Sequence, residues 1–171
     1  MLELLLKHYD ILRSLLEHPQ IQRMKEYGQH RNTDTYCHCC HVTLKSIRIV
    51  RSMSITADME SLVRGAMLHD FYLYDIKEKR LTAWQHGHRH PETALRNAEE
   101  LFELNWKEKN IIRSHMWPLH ITHMLMCREA LIVNVADKWC ALEEMFFWSG
   151  KAHKGNFSEG RNMKNGKTES E

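Results

Sequence analysis

The sequence predicts an all-α protein, a bundle of about six to eight helices, and three observations carry that expectation. Only three prolines and seven glycines interrupt 171 residues, and four of the glycines lie at Gly150 or beyond. Apolar residues recur at helical spacing along most of the chain. Helix-starting residues stand just ahead of the periodic stretches: Asp34, Asp58 and Asn105 as side-chain caps, and Pro91 at a first-turn position that needs no amide hydrogen.

Taken in order, residues 2–17 place Leu2, Leu5, Leu6, Tyr9, Leu12, Leu15 and Leu16 on one stripe. Charged Glu3, Lys7, Asp10 and Arg13 interleave with it, so this opening reads as an amphipathic helix and not as a secretory signal. A short helix over Ile21–Tyr27 and a loop over 28–33 follow. Asp34 then caps a long helix to about Met53, with Tyr36, Cys40, Leu44 and Ile47 as its expected core face. Asp58 caps the next, which runs through Leu62, Val63 and Met67 into His69-Asp70. Residues 71–81 read as loop, 82–87 as a short helix, and 91–104 as a separate helix begun by Pro91. Another spans about Trp106–Met116 and is ended by Pro118, and the last spans Arg128–Trp148.

The length supports one domain with a core of its own, expected over residues 1–149, with N-terminal helices over 1–27 and the main body over 28–148. Residues 150–171 have few apolar side chains and no period, which predicts a flexible polar tail. No stretch approaches the roughly 18 apolar residues of a membrane span. The five cysteines are an odd number, which fits free thiols in a reducing, cytoplasmic setting. A net charge of +2, with no basic stripe between aromatics, argues against a nucleic-acid partner. The apolar N-terminal stripe leaves a homodimer open.

Thirteen histidines are many for this length, and several sit where a solvated role is a poor explanation. His69-Asp70 ends a predicted helix, where adjacent side chains can approach one point, although the dipeptide alone reads more readily as a surface pair at a helix C-terminus. Asp137 lies in EALIVNVADKWCALEEMFFW, where a carboxylate is costly to bury unless paired or metal-bound. An ion pair with Lys138 or an arginine is the structural alternative. His38 lies near the core face of its helix, and alone it reads as a satisfied core histidine as readily as a ligand. His90 precedes Pro91 and His115 follows Ile111 and Ile112, so two further imidazoles are available. His120 and His123 read as bystanders or substrate contacts. Cys37-x-x-Cys40 invites a zinc-thiolate site, but no second pair at the usual spacing completes four ligands, so small core residues are the better reading.

The order His38, His69-Asp70, Asp137 resembles the HD-domain superfamily of metal-dependent phosphohydrolases. With His90 and His115 added, the chain is similar to its two-metal branch. HGHRHPETALRNA, NIIRSHMWPL and ALIVNVADKWCALEE more closely resemble small bacterial HD proteins, over about residues 28–148. The resemblance implies an HD-type helical bundle in which His38, His69, Asp70 and Asp137 hold a first metal and Asp70 bridges to a second, held by His90 and His115. It also implies a phosphomonoesterase or phosphodiesterase that cleaves a nucleotide or related phosphate ester or anhydride with metal-activated hydroxide. Asp70 would orient the nucleophile, and Lys138 and Arg31 would offset phosphoryl charge. The sequence departs from the family in its cysteine-rich CHCCH and in FYLYD after Asp70, where Lys77 or Lys79 would have to replace the lysine common in other branches.

Imidazole and carboxylate donors suit a divalent transition metal, Fe, Mn, Zn, Co or Ni, as one ion or two. Tyr72, Trp84, Trp117 and Trp139 are the expected pocket wall for a small phosphorylated substrate, with core packing the better reading for at least two of them. A one-metal phosphatase, in which His90 and His115 contact the phosphate, and a non-catalytic metal-stabilised helical regulatory module remain as alternatives.

Overall fold

The computed structural model describes residues 2–30, 33–76 and 78–146, with the side chains of 2–9, 30 and 146 excepted. Seven α-helices are described: α1 (Leu2–Glu17), α2 (Pro19–Gln22), α3 (Thr35–Ser52), α4 (Met59–Leu68), α5 (Ala83–Leu101), α6 (Trp106–Ser114) and α7 (Arg128–Phe146). A 3₁₀ turn, Arg23–Glu26, follows α2. A two-stranded antiparallel ribbon, β1 (Gly28–His30) with β2 (Thr33–Asp34), replaces the expected loop and pairs Gly28 with Asp34. The first residues of the N-terminal stripe, Arg31, Lys77, Trp148 and the tail lie outside the described side chains.

Each cap does the work the sequence assigns to it. Asp34 accepts from the amide of Cys37 and Asp58 from that of Ser61, satisfying donors that a helix start leaves unpaired. Asn105 forms a reciprocal capping box with Glu108. Thr82 does the same with Gln85, but the helix it starts does not stop at Gly87. The expected pair of helices over 82–104 is one continuous α5 with Pro91 inside it. Pro91 has no hydrogen to give the Gly87 carbonyl.

α3 is rotated from its expected face. The buried residues are Thr35, His38, Cys39, Val42, Thr43, Ser46 and Val50, whereas Leu44 is half exposed. The phase follows the polar site: His38, the least apolar of these, is fully enclosed. Cys39 is the core thiol, while Cys37 is exposed, which corrects its assignment as a core residue.

Two apolar clusters flank the polar centre. One gathers Ile21, Met24, Cys39, Met67, Leu68, Phe71 and Ile112, and the other Val42, Leu62, Ala66, Ile111, Val133 and Ala136. α3, α4 and α6 feed both clusters through neighbouring residues, so these helices are fixed on two sides. Gly65 sets the approach of α4 to α6. A Cβ there would lie 2.5 Å from Ile111 Cδ1 and 2.9 Å from its Cβ, closer than real carbon contacts.

Candidate metal centre

The six expected ligands converge from five segments. His38 comes from α3, His69 caps the C-terminus of α4 with Asp70 next to it, His90 lies within α5, His115 caps the C-terminus of α6, and Asp137 lies within α7. His38, His69, Asp70, His90 and His115 are each less than 5% exposed. The structure thus removes the reading of His69-Asp70 as a surface pair. His90 is interior to a helix and not at a helix start, as expected from Pro91.

Two groups have all their donor atoms within 4.8 Å of one another: His38, His69 and Asp137, and Asp70, His90 and His115. Asp70 joins them. Its Oδ2 lies 3.5 Å from His69 Nε2 and 3.9 Å from His38 Nε2, and its Oδ1 lies 3.2 Å from His90 Nε2 and 3.4 Å from His115 Nε2. Asp137 Oδ1 stands 3.0 Å from His38 Nε2 and 3.7 Å from His69 Nε2.

All four imidazoles present Nε2 inward, and their outer nitrogens explain why. Nδ1 of His69 donates to the Ala66 carbonyl at 2.8 Å, that of His115 to the Ile112 carbonyl at 2.7 Å, and that of His90 to the His86 carbonyl at 3.0 Å. A carbonyl can only accept, so each Nδ1 carries a hydrogen, and in the neutral ring Nε2 is the nitrogen with the lone pair. The first two contacts are one device used twice: a histidine just past a helix turns back to a carbonyl that the helix end leaves unpaired. His38 Nδ1 meets both oxygens of Glu144, at 3.2 and 3.1 Å. A carboxylate or carbonyl behind a histidine is the usual outer support of a metal ligand.

The donor set fits a cation. His90 Nε2 and His115 Nε2 face each other at 2.7 Å, two lone pairs that need positive charge between them. His69 Nε2 and Asp70 Oδ1 are buried and have no hydrogen-bond partner among the described residues. Two carboxylates in so dry a place also require compensation. In the bare protein protons supply it unevenly. Burial disfavours charged His38, but Asp137 and Glu144 outweigh it and lift this imidazole to about 10. Against the same burial, Asp70 raises His69 well above its usual value. Burial and then neighbouring His90 push His115 down to about 3, so it stays neutral. Asp70 and Asp137 are held below the usual carboxylate range: burial opposes this, and the surrounding imidazoles prevail.

A cleft of about 800 Å³ opens on one side of the centre, with Asp70, His90, His115 and Asp137 on its floor. Ile76, Met116, Pro118, Leu119 and Ala141 supply apolar walls. Lys138 is the one Lys or Arg lining it among the described residues. Its Nζ donates to the His115 carbonyl at 3.2 Å, and burial lowers its pKa against the pull of Asp137. Arg31 and Lys77 lie outside the described residues, and Lys79 is exposed over the Tyr74 ring. The expected aromatic wall is not there. Tyr72 is buried and bonded to Gln29 and Thr35. Trp84 is 66% exposed and stacks on His88, Trp139 is exposed beside Glu143, and Trp117 stays outside the lining.

Sequence reasoning missed Glu144 and Gln29. Glu144 lies seven residues beyond Asp137, two turns along the same face of α7, a spacing that could have flagged it. Gln29 sits in β1 and donates to Asp70 Oδ2 at 2.5 Å, and no local pattern announces it.

The HD domain model matches residues 35–142, more than half of the chain, and its span includes all six converging residues. The chain belongs to the HD domain family, a superfamily of metal-dependent phosphohydrolases. No curated protein and no solved structure matches it. Among the described residues no helix is long and apolar enough to cross a membrane.

Proposed function

We propose that this protein is a two-cation phosphohydrolase acting on a small phosphate ester or anhydride, a nucleotide being the first class to test. His38, His69 and Asp137 would hold one divalent ion, His90 and His115 the other, with Asp70 shared between them. The observation that carries the reading is the division of the Asp70 carboxylate, Oδ2 toward one pair of imidazoles and Oδ1 toward the other.

When bound, such ions supply Lewis acidity that makes water a stronger acid and offsets charge on phosphoryl oxygens. The chain's own groups do the rest. Carbonyls and Glu144 hold the imidazoles in the tautomer that presents Nε2. Gln29 fixes the rotation of the Asp70 carboxylate. Asp70 and Asp137 reach the cleft floor, where each can accept a hydrogen bond from attacking water and orient it. The Lys138 ammonium on the cleft wall offsets charge on the phosphoryl oxygens of a bound substrate. The apolar walls exclude competing water and receive the organic part of the substrate.

Metal-loaded protein screened against nucleoside mono-, di- and polyphosphates and aryl phosphates, with Asp70→Ala as control, tests the reading. Turnover that disappears in the variant is expected. A stable metal complex that turns over no phosphate ester would favour the regulatory module instead.

A further inference from the structure

Three histidines outside the centre repeat its design. His88 lies on α5, one turn before Glu92, and His120 and His123 lie three apart in the turn-rich segment between α6 and α7. Their rings form a row: His88 to His120 at 4.6 Å between centres, and His120 to His123 at 4.7 Å. In the central site neighbouring imidazoles stand 4.8 to 5.5 Å apart. The outer row therefore has a ring spacing close to that of the central imidazoles.

The hydrogen bonds point the same way. His88 Nδ1 donates to the Trp84 carbonyl at 2.9 Å, which leaves Nε2 with a lone pair. His123 Nε2 lies 3.2 Å from Glu92 Oε1, itself anchored 2.7 Å from Arg113, which leaves the lone pair on Nδ1. Nδ1 of His123 and Nε2 of His120 are both enclosed, with no hydrogen-bond partner among the described residues. Two buried unpartnered nitrogens in one small cluster are costly unless something fills the gap. Burial, then His123 and His88, keep the His120 imidazole below its usual value, in the neutral form a metal needs.

We propose that His88, His120 and His123 form a second, separate site for a borderline divalent cation of the Zn(II) or Ni(II) class. Three imidazoles are a complete protein contribution to tetrahedral zinc, with one position left for water or another ligand. Glu92 is a positioning residue that fixes the His123 tautomer. The donor atoms of this row are not drawn together as those of the two central groups are. Binding would turn the His120 ring about its side-chain torsions to draw the donors together, with His123 held on Glu92. The segment that carries His120 also carries Met116, Pro118 and Leu119, so an ion here ties the cleft wall to α5. Gly87 already lets that wall approach, with Leu119 Cδ2 3.0 Å from where a Cβ would be.

The test uses the untagged full chain, dialysed to equilibrium against Zn(II) and analysed for bound metal. Wild type, His120→Gln/His123→Gln and Asp70→Ala/His115→Ala are compared, with circular dichroism to confirm folding. We expect the outer variant to hold one ion fewer per chain than wild type, while retaining its central ions. We expect the central variant, loaded with Co(II), to keep one ion with the visible absorption of a tetrahedral nitrogen site. Equal zinc content in wild type and in the folded outer variant would overturn the proposal, as would a central variant that binds no Co(II).

Discussion

The two halves of the central cluster are built from similar donors but face different surroundings. The His38–His69–Asp137 half is sealed except at Asp137, which reaches the cleft floor: His38 and His69 are wholly buried and neither lines the cleft. The Asp70–His90–His115 half forms the cleft floor. The sealed half has a carboxylate behind His38 and gathers protons in the bare protein. The open half has carbonyls behind both histidines and keeps His115 neutral. On the proposed reading the difference teaches how the halves would divide the labour: one would retain an ion, and the other would offer an ion to substrate.

The largest effect is expected where the halves meet. Asp70→Ala removes the shared carboxylate and should lower turnover by at least about 10²–10³-fold, the loss typical of one removed charge-stabilising group. Elemental analysis of the same variant should show loss from both halves. Loss from one half alone would mean that Asp70 is not shared.

Next, Glu144→Gln and Asn134→Ala separate the halves by their supports. Glu144→Gln should weaken metal retention in the sealed half by about 10–100-fold, as outer partners of ligating histidines do. Asn134 donates to the His115 carbonyl at 2.6 Å and to that of Trp117 at 2.8 Å, so its removal should loosen only the open half. Chelator competition on both variants measures this.

A third expectation concerns protons. His38, lifted to about 10 in the bare protein, is charged at pH 7 and must lose its proton to ligate. His115, pushed down to about 3, has none to lose. Filling the sealed half at pH 7 should therefore release protons, and filling the open half should release few. Affinity of the sealed half should fall as pH drops, because protonation of His38 competes with the ion. Calorimetric titration in two buffers of different ionisation enthalpy gives the proton count for each half.

The smallest effect is mechanical. Gly65→Ala places a methyl against Ile111 and should force α4 from α6, costing about 1–3 kcal/mol of stability, as overpacking does. His69 and His115 follow four residues after Gly65 and Ile111, so the same push should part the two halves. Thermal unfolding with and without metal should show a smaller stabilisation by metal in this variant than in wild type.

Much of this architecture was legible in the sequence, and for identifiable reasons. Asp34, Asp58 and Asn105 announced three helix starts because capping is local chemistry. The convergence of His38, His69, Asp70, His90, His115 and Asp137 was legible because Asp137 and His115 stand in apolar company and the order of all six resembles that of the HD family. What was not legible depended on tertiary context. Pro91 looked like a helix start, yet α5 passes through it. The tryptophans looked like a pocket wall, yet exposure or other partners claim them. Gln29 reaches Asp70 from a ribbon forty-one residues away, a contact that only folding creates.

A crystal structure of metal-loaded protein, with anomalous scattering recorded at the metal edge, tests the central claim most directly. The account expects two peaks flanking the Asp70 carboxylate, about 3.5–4 Å apart, one beside His38, His69 and Asp137 and the other beside His90 and His115. A single peak there under saturating metal, or peaks that leave the Asp70 oxygens uncoordinated, would contradict it.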